Sequence, residues 1–164
     1  LLDVDGVINC SRPGGSWGPG PPVSRSVYAN GAVFRIRWRP ELIQRIRAIH
    51  NAGLAEVRWC TTWSGHTKHL ESMFGLPLLT DALTGLGKVD DALKLGAAVT
   101  VLHEEKRPLV WTDDHAVPVK PFEQPVMTSS RLLMIKPRSQ RGLQPEHLEW
   151  IIKFCHDIAA KNLV

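Results

Sequence analysis

Short apolar, β-prone segments that end in acidic or hydroxyl residues, with stretches of helical periodicity between them, are the feature that most narrows the folds open to this chain. Residues 1–8, 55–60 and 109–111 are three such segments; Asp3 and Asp5 lie within the first, and Thr61-Thr62 and Asp113-Asp114 follow the other two. Residues 131–135 supply a fourth apolar strand. Continuous apolar runs of this length suit strands buried on both faces. Strand-then-helix alternation predicts a parallel sheet covered on each side, a three-layer α/β/α Rossmann-like architecture with ligands at the carboxyl ends of the strands. With 164 residues, 43% of them hydrophobic, there is material for one core, so residues 1–164 are expected to form a single domain.

The intervening segments carry their own signals. Residues 11–24 concentrate proline and glycine and read as a loop directly after the first strand. Asn30-Gly31 between β-prone runs predicts a projecting hairpin over residues 26–38. Pro40 opens a helix with Leu42, Ile43, Ile46 and Ile49 on one face, and Gly53 closes it. A short helix carries Leu70, Met73 and Phe74 before Gly75, residues 88–105 read as helical, and Pro145 opens a last helix with a stripe of Leu148, Ile151, Ile152, Cys155 and Ile158. The chain opens without methionine partway along its first strand, and a few residues are expected upstream.

Composition removes several function classes. Cys10, Cys60 and Cys155 are odd in number and far apart, which argues against a disulfide framework or zinc ribbon and for a reducing, cytoplasmic setting. No apolar run reaches the roughly eighteen residues of a membrane span, and no cleavable leader pattern opens the chain. A net charge of +4 favours an anionic partner without specifying one. His66 and His69 lack a third zinc ligand nearby.

Four places carry candidate chemistry. Asp3-Val4-Asp5-Gly6 sets two carboxylates two residues apart where glycine permits a sharp turn. An EF-hand reading of these residues fails, because Leu1 and Arg12 would fall where carboxylates are needed. Thr61-Thr62 ends the second strand, Lys88 follows Gly85-Leu86-Gly87, and Asp113-Asp114 crowds two like charges at a core edge, for which a cation is the natural compensation. Taken singly, each has an ordinary structural explanation: a turn, a helix cap, a solvated lysine, a surface bend.

The order Asp-x-Asp-Gly, Thr, Lys, Asp-Asp, each at a strand end or helix start, resembles the haloacid-dehalogenase-like superfamily over nearly the whole chain. Leu2-Asp3-Val4-Asp5-Gly6-Val7-Ile8-Asn9, Trp59-Cys60-Thr61-Thr62-Trp63, Gly87-Lys88 and Val110-Trp111-Thr112-Asp113-Asp114 also look like the domain of that superfamily found in bacterial Swiss-army-knife RNA repair proteins. The resemblance implies a Mg²⁺-dependent phosphatase with Asp3 as nucleophile and Asp5 as general acid and base. It implies Mg²⁺ held by Asp3, the Asp5 carbonyl, Asp113 and Asp114, with Thr61 and Lys88 on the phosphoryl group. Thr62 is the substitute for Thr61, and Lys94 or Lys120 for Lys88. Gly6 and Asn9 are placed beside the substrate.

Large insertions that would cap the site are missing from the sequence: residues 10–39 hold only the loop and hairpin, a flap. An open site admits a phosphate at the end of RNA or DNA. Arg25, Arg35, Arg37 and Arg39 near Trp17, Tyr28 and Trp38 fit phosphates and stacked bases, with Arg35 and Arg37 as substrate contacts. The competing reading makes these arginines a solvated strand face with Phe34, Ile36 and Trp38 packed inward. His66 and His115 read as peripheral. Two other functions stay open: a basic binding module on the same fold without turnover, and a displacement at phosphorus or carbon other than hydrolysis.

Overall fold

The computed structural model describes residues 1–83, 88–118 and 126–161. It is a mixed α/β structure with seven named strands among those residues: β1 Val23–Ala29, β2 Ala32–Trp38, β3 Arg58–Trp59, β4 Thr80–Asp81, β5 Leu109–Thr112, β6 Val126–Ser129 and β7 Leu132–Ile135. The α-helices are α1 Pro40–Asn51, α2 Thr67–Phe74, α3 Asp91–Val99 and α4 Pro145–Lys161.

Leu2 sits between β3 and β5, bridging Trp59 on one side and Thr112 on the other, both in parallel. β4 extends β3 in parallel, β7 extends β5 in parallel, and β6 closes the far side antiparallel to β7. The antiparallel β6 and the two-residue β4 add to the strands expected from sequence. Period-two alternation along β5 and β7 divides their side chains between two cores. Leu109, Trp111 and Met134 join Ala98 of α3 and Val101, whereas Leu133 and Ile135 join the apolar faces of α1 and α4. Both faces of this part of the sheet are therefore covered.

The first strand is shorter than its β-branched sequence suggests. It ends at Asp3, because the Val4 carbonyl then accepts the amides of Val7, Ile8 and Asn9, and Gly6 takes a left-handed φ of 70°. The chain coils tightly there instead of continuing extended, and Val4, Val7 and Ile8 are buried within the coil. Residues 55–60 likewise reduce to β3.

The hairpin forms as the Asn-Gly signal requires. Asn30 and Gly31 have φ of 49° and 77° at the turn between β1 and β2, the pattern of a type I′ connection. Ile36 and Trp38 are buried while Tyr28, Val33 and Arg35 are exposed. α1 starts at Pro40 as expected, and α2 ends at Gly75 in the left-handed conformation. α3 starts later than the sequence reading placed it, since Asp90 caps the helix by accepting the Leu93 amide at 2.9 Å. α4 buries His147, Leu148, Ile151 and Phe154. Among the described residues, no helix is long and apolar enough to cross a membrane.

Candidate functional site

Parallel register is what assembles the site. Because Leu2 lies level with Trp59 and Thr112, the next residues, Asp3, Cys60 and Asp113, all emerge at the same end of the sheet. The Asp3 amide donates to the Thr112 carbonyl at 3.2 Å, which locks that alignment. Asp3, Asp113 and Asp114 each bring a carboxylate oxygen within 4.8 Å of the others.

Lys94 completes the cluster from α3. Its Nζ donates to Asp3 Oδ2 at 2.6 Å and to Asp113 Oδ2 at 2.7 Å, with all three side chains at most 5% exposed. Burial would lower the Lys94 pKa, but the charges of Asp3 and Asp113 outweigh it and hold the ammonium protonated. Burial first, and the Asp113 charge second, raise Asp3 above the usual carboxylate range against the opposing pull of Lys94 and the Thr61 hydroxyl. Lys94 thus pairs with two of the three clustered carboxylates, and Asp114 lies beside them.

The remaining bonds fix each carboxylate. Asp3 Oδ1 accepts the Val4 amide at 2.7 Å, and Asp113 Oδ1 accepts the amides of His115 and Ala116 at 2.8 and 2.6 Å. Thr61, fully buried just past β3, pulls the Asp3 pKa down through its hydroxyl and accepts the Trp63 amide. Asp114 is half-buried; burial raises its pKa, the Ser139 hydroxyl opposes the rise, and the Asp113 charge adds to it. Gly6 explains how Asp114 fits, since a Cβ at that position would lie 2.1 Å from the Asp114 Cγ.

Asp5 is exposed, outside the acidic cluster, and held by two neutral donors. Asn9 Nδ2 donates to Asp5 Oδ1 at 2.6 Å, and the Trp63 indole N–H donates to Asp5 Oδ2 at 2.9 Å. Trp63 meets the edge of Phe34 from β2 at 5.3 Å between ring centroids. Asn9 Oδ1 accepts the Arg37 amide, so strand β2 touches the Asp5 environment twice.

The structure thus brings together Asp3, Thr61, Asp113 and Asp114, with Gly6 against Asp114 and Asn9 against Asp5. Lys88 is not part of this cluster: it is exposed and precedes the Asp90 cap, and the buried lysine is Lys94. Lys120 and Gly85-Leu86-Gly87 lie outside the described residues. Thr62 is exposed beside buried Thr61. Arg35 is exposed, and Arg37 donates to the Ser11 carbonyl. Arg39 is buried and bonded to Gly18, Gly20 and Glu41, while Trp17 and Trp38 belong to the core, so only part of the basic and aromatic set faces solvent. The His66 ring contacts Asn30 at 2.8 Å, and the His115 ring pairs with Asp91 at 2.6 Å.

From the sequence, Trp63 enters only as part of the Trp59-Cys60-Thr61-Thr62-Trp63 segment, with no role for its side chain. A buried indole N–H needs an acceptor, and that requirement was the available signal. An apolar hollow of about 240 Å³, bordered by Leu1, Ile46, Leu109 and Ile151, lies toward the starts of the strands and contains none of these groups. Comparison with family models, with curated proteins and with solved structures finds no match to this chain.

Proposed function

We propose that the chain is a Mg²⁺-dependent phosphomonoester hydrolase with a three-layer haloacid-dehalogenase-like fold, working through an aspartyl-phosphate on Asp3 and acting on phosphorylated ends of RNA or DNA. The observation that carries this reading is the meeting of buried Asp3 and Asp113, both paired with the Lys94 ammonium, with half-buried Asp114 where parallel-aligned segments of the sheet end. A structural core has no use for two buried acids with a third half-buried beside them, because desolvating charge costs stability. A phosphate site uses both parts, the acids for a cation and the ammonium for the substrate.

The residues fit the metal. Carboxylate oxygens are the hard donors Mg²⁺ prefers, and three of them lie within 4.8 Å of one another. Asp3, Asp113, Asp114 and the Asp5 backbone carbonyl would hold it. When bound, the ion shields the anionic nucleophile from the anionic phosphate and withdraws charge from the phosphoryl oxygens.

In this mechanism an Asp3 oxygen attacks phosphorus while the P–O bond to the leaving group breaks. Asp5 gives its proton to the departing oxygen, then takes one from the water that attacks phosphorus and releases Asp3. Thr61 is placed to donate to the phosphoryl group, and Lys94 takes the neutralising role expected of Lys88. Exposed Arg25, Arg35 and Tyr28 on the hairpin support a polyanionic substrate with stackable bases.

The test is phosphate release from small phosphomonoesters and from oligonucleotides with 5′- or 3′-phosphates, with Mg²⁺ and with chelator. Asp3→Asn should abolish release while oligonucleotide binding persists. Turnover that survives Asp3→Asn removes the mechanism, and salt-sensitive oligonucleotide binding with no release in the unaltered chain favours a binding module.

A further inference from the structure

Asp5 has to present one oxygen to a leaving group, yet it lies in an exposed coil where a free carboxylate would rotate. The two donors described above prevent this: Asn9 holds one oxygen and Trp63 the other, fixing the carboxylate plane. Each oxygen keeps a second lone pair, so the acid can still carry and deliver a proton. Trp63 is itself immobilised, 6% exposed, with its amide on Thr61 and its ring edge on Phe34.

We propose that Trp63 is a positioning residue for the general acid, aiming the Asp5 carboxyl through its indole N–H, and that Phe34 couples this aim to the hairpin. This rests on the hydrolase reading above. A tryptophan retained only to fill the core could direct its N–H to any neighbouring carbonyl. Here it crosses from the segment after β3 to the one polar side chain that the chemistry needs oriented.

The step affected is P–O cleavage. As the bond from Asp3 to phosphorus forms and the bond to the leaving oxygen breaks, the Asp5 proton passes to that oxygen. A nitrophenolate departs without the proton, whereas a phenolate or alkoxide needs it. Misaiming Asp5 should therefore slow poor leaving groups selectively.

The experiment measures kcat/KM with Mg²⁺ for a graded series of aryl phosphates, from nitrophenyl to phenyl, together with an alkyl phosphate. The unaltered chain should depend weakly on the leaving group. Trp63→Phe, which keeps the ring and removes the N–H, should lose about tenfold on phenyl and alkyl phosphates and under about twofold on nitrophenyl phosphate. Phe34→Ala should give about threefold in the same direction. In an Asp5→Ala background, Trp63→Phe should add nothing to the leaving-group dependence.

The nitrophenyl-to-phenyl ratio comes from one preparation, so partial unfolding cancels. Equal losses across the series, a steep dependence already present in the unaltered chain, or additive effects in the double variant would each overturn the positioning role. No release from any ester by the unaltered chain would instead sink the hydrolase reading itself.

Discussion

Replacing Lys94 by methionine keeps the length and apolar stem of the side chain and removes its charge. In the native fold the ammonium serves two carboxylates at 2.6 and 2.7 Å, all but buried from solvent. A hydrogen bond to a charged group is worth about 1.5–3 kcal/mol net, so two of them suggest a loss of about 3–6 kcal/mol. Breaking a buried ion pair by deleting one partner costs about 3–5 kcal/mol, and the two routes agree. Proton uptake by a carboxylate sets the ceiling, because Asp3 is already pushed toward its neutral form by burial and by Asp113. At about 2–4 °C per kcal/mol for a domain of this size, thermal unfolding in chelator should fall by on the order of 10 °C. Mg²⁺ at a hundredfold excess over its dissociation constant for Lys94→Met should stabilise that variant by about 2.7 kcal/mol, and the same concentration should stabilise the unaltered protein by less. The assay is a pair of thermal or urea unfolding series, with chelator and with Mg²⁺. A midpoint within about 2 °C of the unaltered protein in chelator, or identical Mg²⁺ gains in both proteins, would refute the charge balance argued from the structure.

Other outcomes follow from the same geometry. Lys88→Ala should leave phosphate release within about twofold, since an exposed lysine outside the cluster contributes little; a loss above tenfold would return the phosphate role to Lys88. Gly6→Ala should cost about 1–2 kcal/mol from its positive φ alone and should also displace Asp114, raising the Mg²⁺ concentration for half-maximal release severalfold; an unchanged Mg²⁺ titration would contradict the close approach at that glycine. Hydrogen bonds from Arg58 and Arg107 lower the Glu56 pKa to about 2 from its ordinary 4.5. A depressed acid stabilises above its unfolded pKa, so the Glu56 contribution is full at neutral pH and fades as pH falls from 4.5 toward 2. The side chain is 34% exposed, which limits the effect to under ~1 kcal/mol. Urea midpoints of Glu56→Gln should thus trail the unaltered protein at pH 7 and draw together only as pH falls from 4.5 toward 2; a gap that widens on acidification would reverse the assigned sign.

How much of this could be read from the sequence depended on whether the signal was local. Asn30-Gly31 and Pro40 specify backbone geometry within a few residues, and the hairpin and α1 appeared with nearly the expected limits. β4 is two residues long and exists because Thr80 and Asp81 lie beside Arg58 and Trp59, a pairing invisible in its own composition. The strand expected over residues 1–8 failed at Gly6, where freedom to take positive φ outweighed the β-preference of Val4, Val7 and Ile8. The convergence of Asp3, Asp113 and Asp114 was legible because strand ends are legible. Lys94 stood only as the substitute for Lys88 because the helix was started too early; with the cap at Asp90, the buried stripe becomes Lys94, Ala98 and Val101 at i, i+4 and i+7. A charged residue in step with two buried apolar ones was the clue.

That stripe also explains why Lys94 and not a neighbour reaches the acids. Ala98, Val101, Leu109, Trp111 and Met134 pack into one cluster, which presses the inner face of α3 against the sheet. Any residue on that face one turn nearer the helix start must emerge over the strand ends. Parallel register independently delivers Asp3 and Asp113 to those ends. The ammonium therefore meets the carboxylates because two separate packing requirements intersect there. Apolar residues at all three positions would pack at lower cost, so retaining charge at each is a burden on stability that phosphate chemistry would repay. A hydrophobic triple replacement of Asp3, Lys94 and Asp113 should accordingly fold well and release nothing.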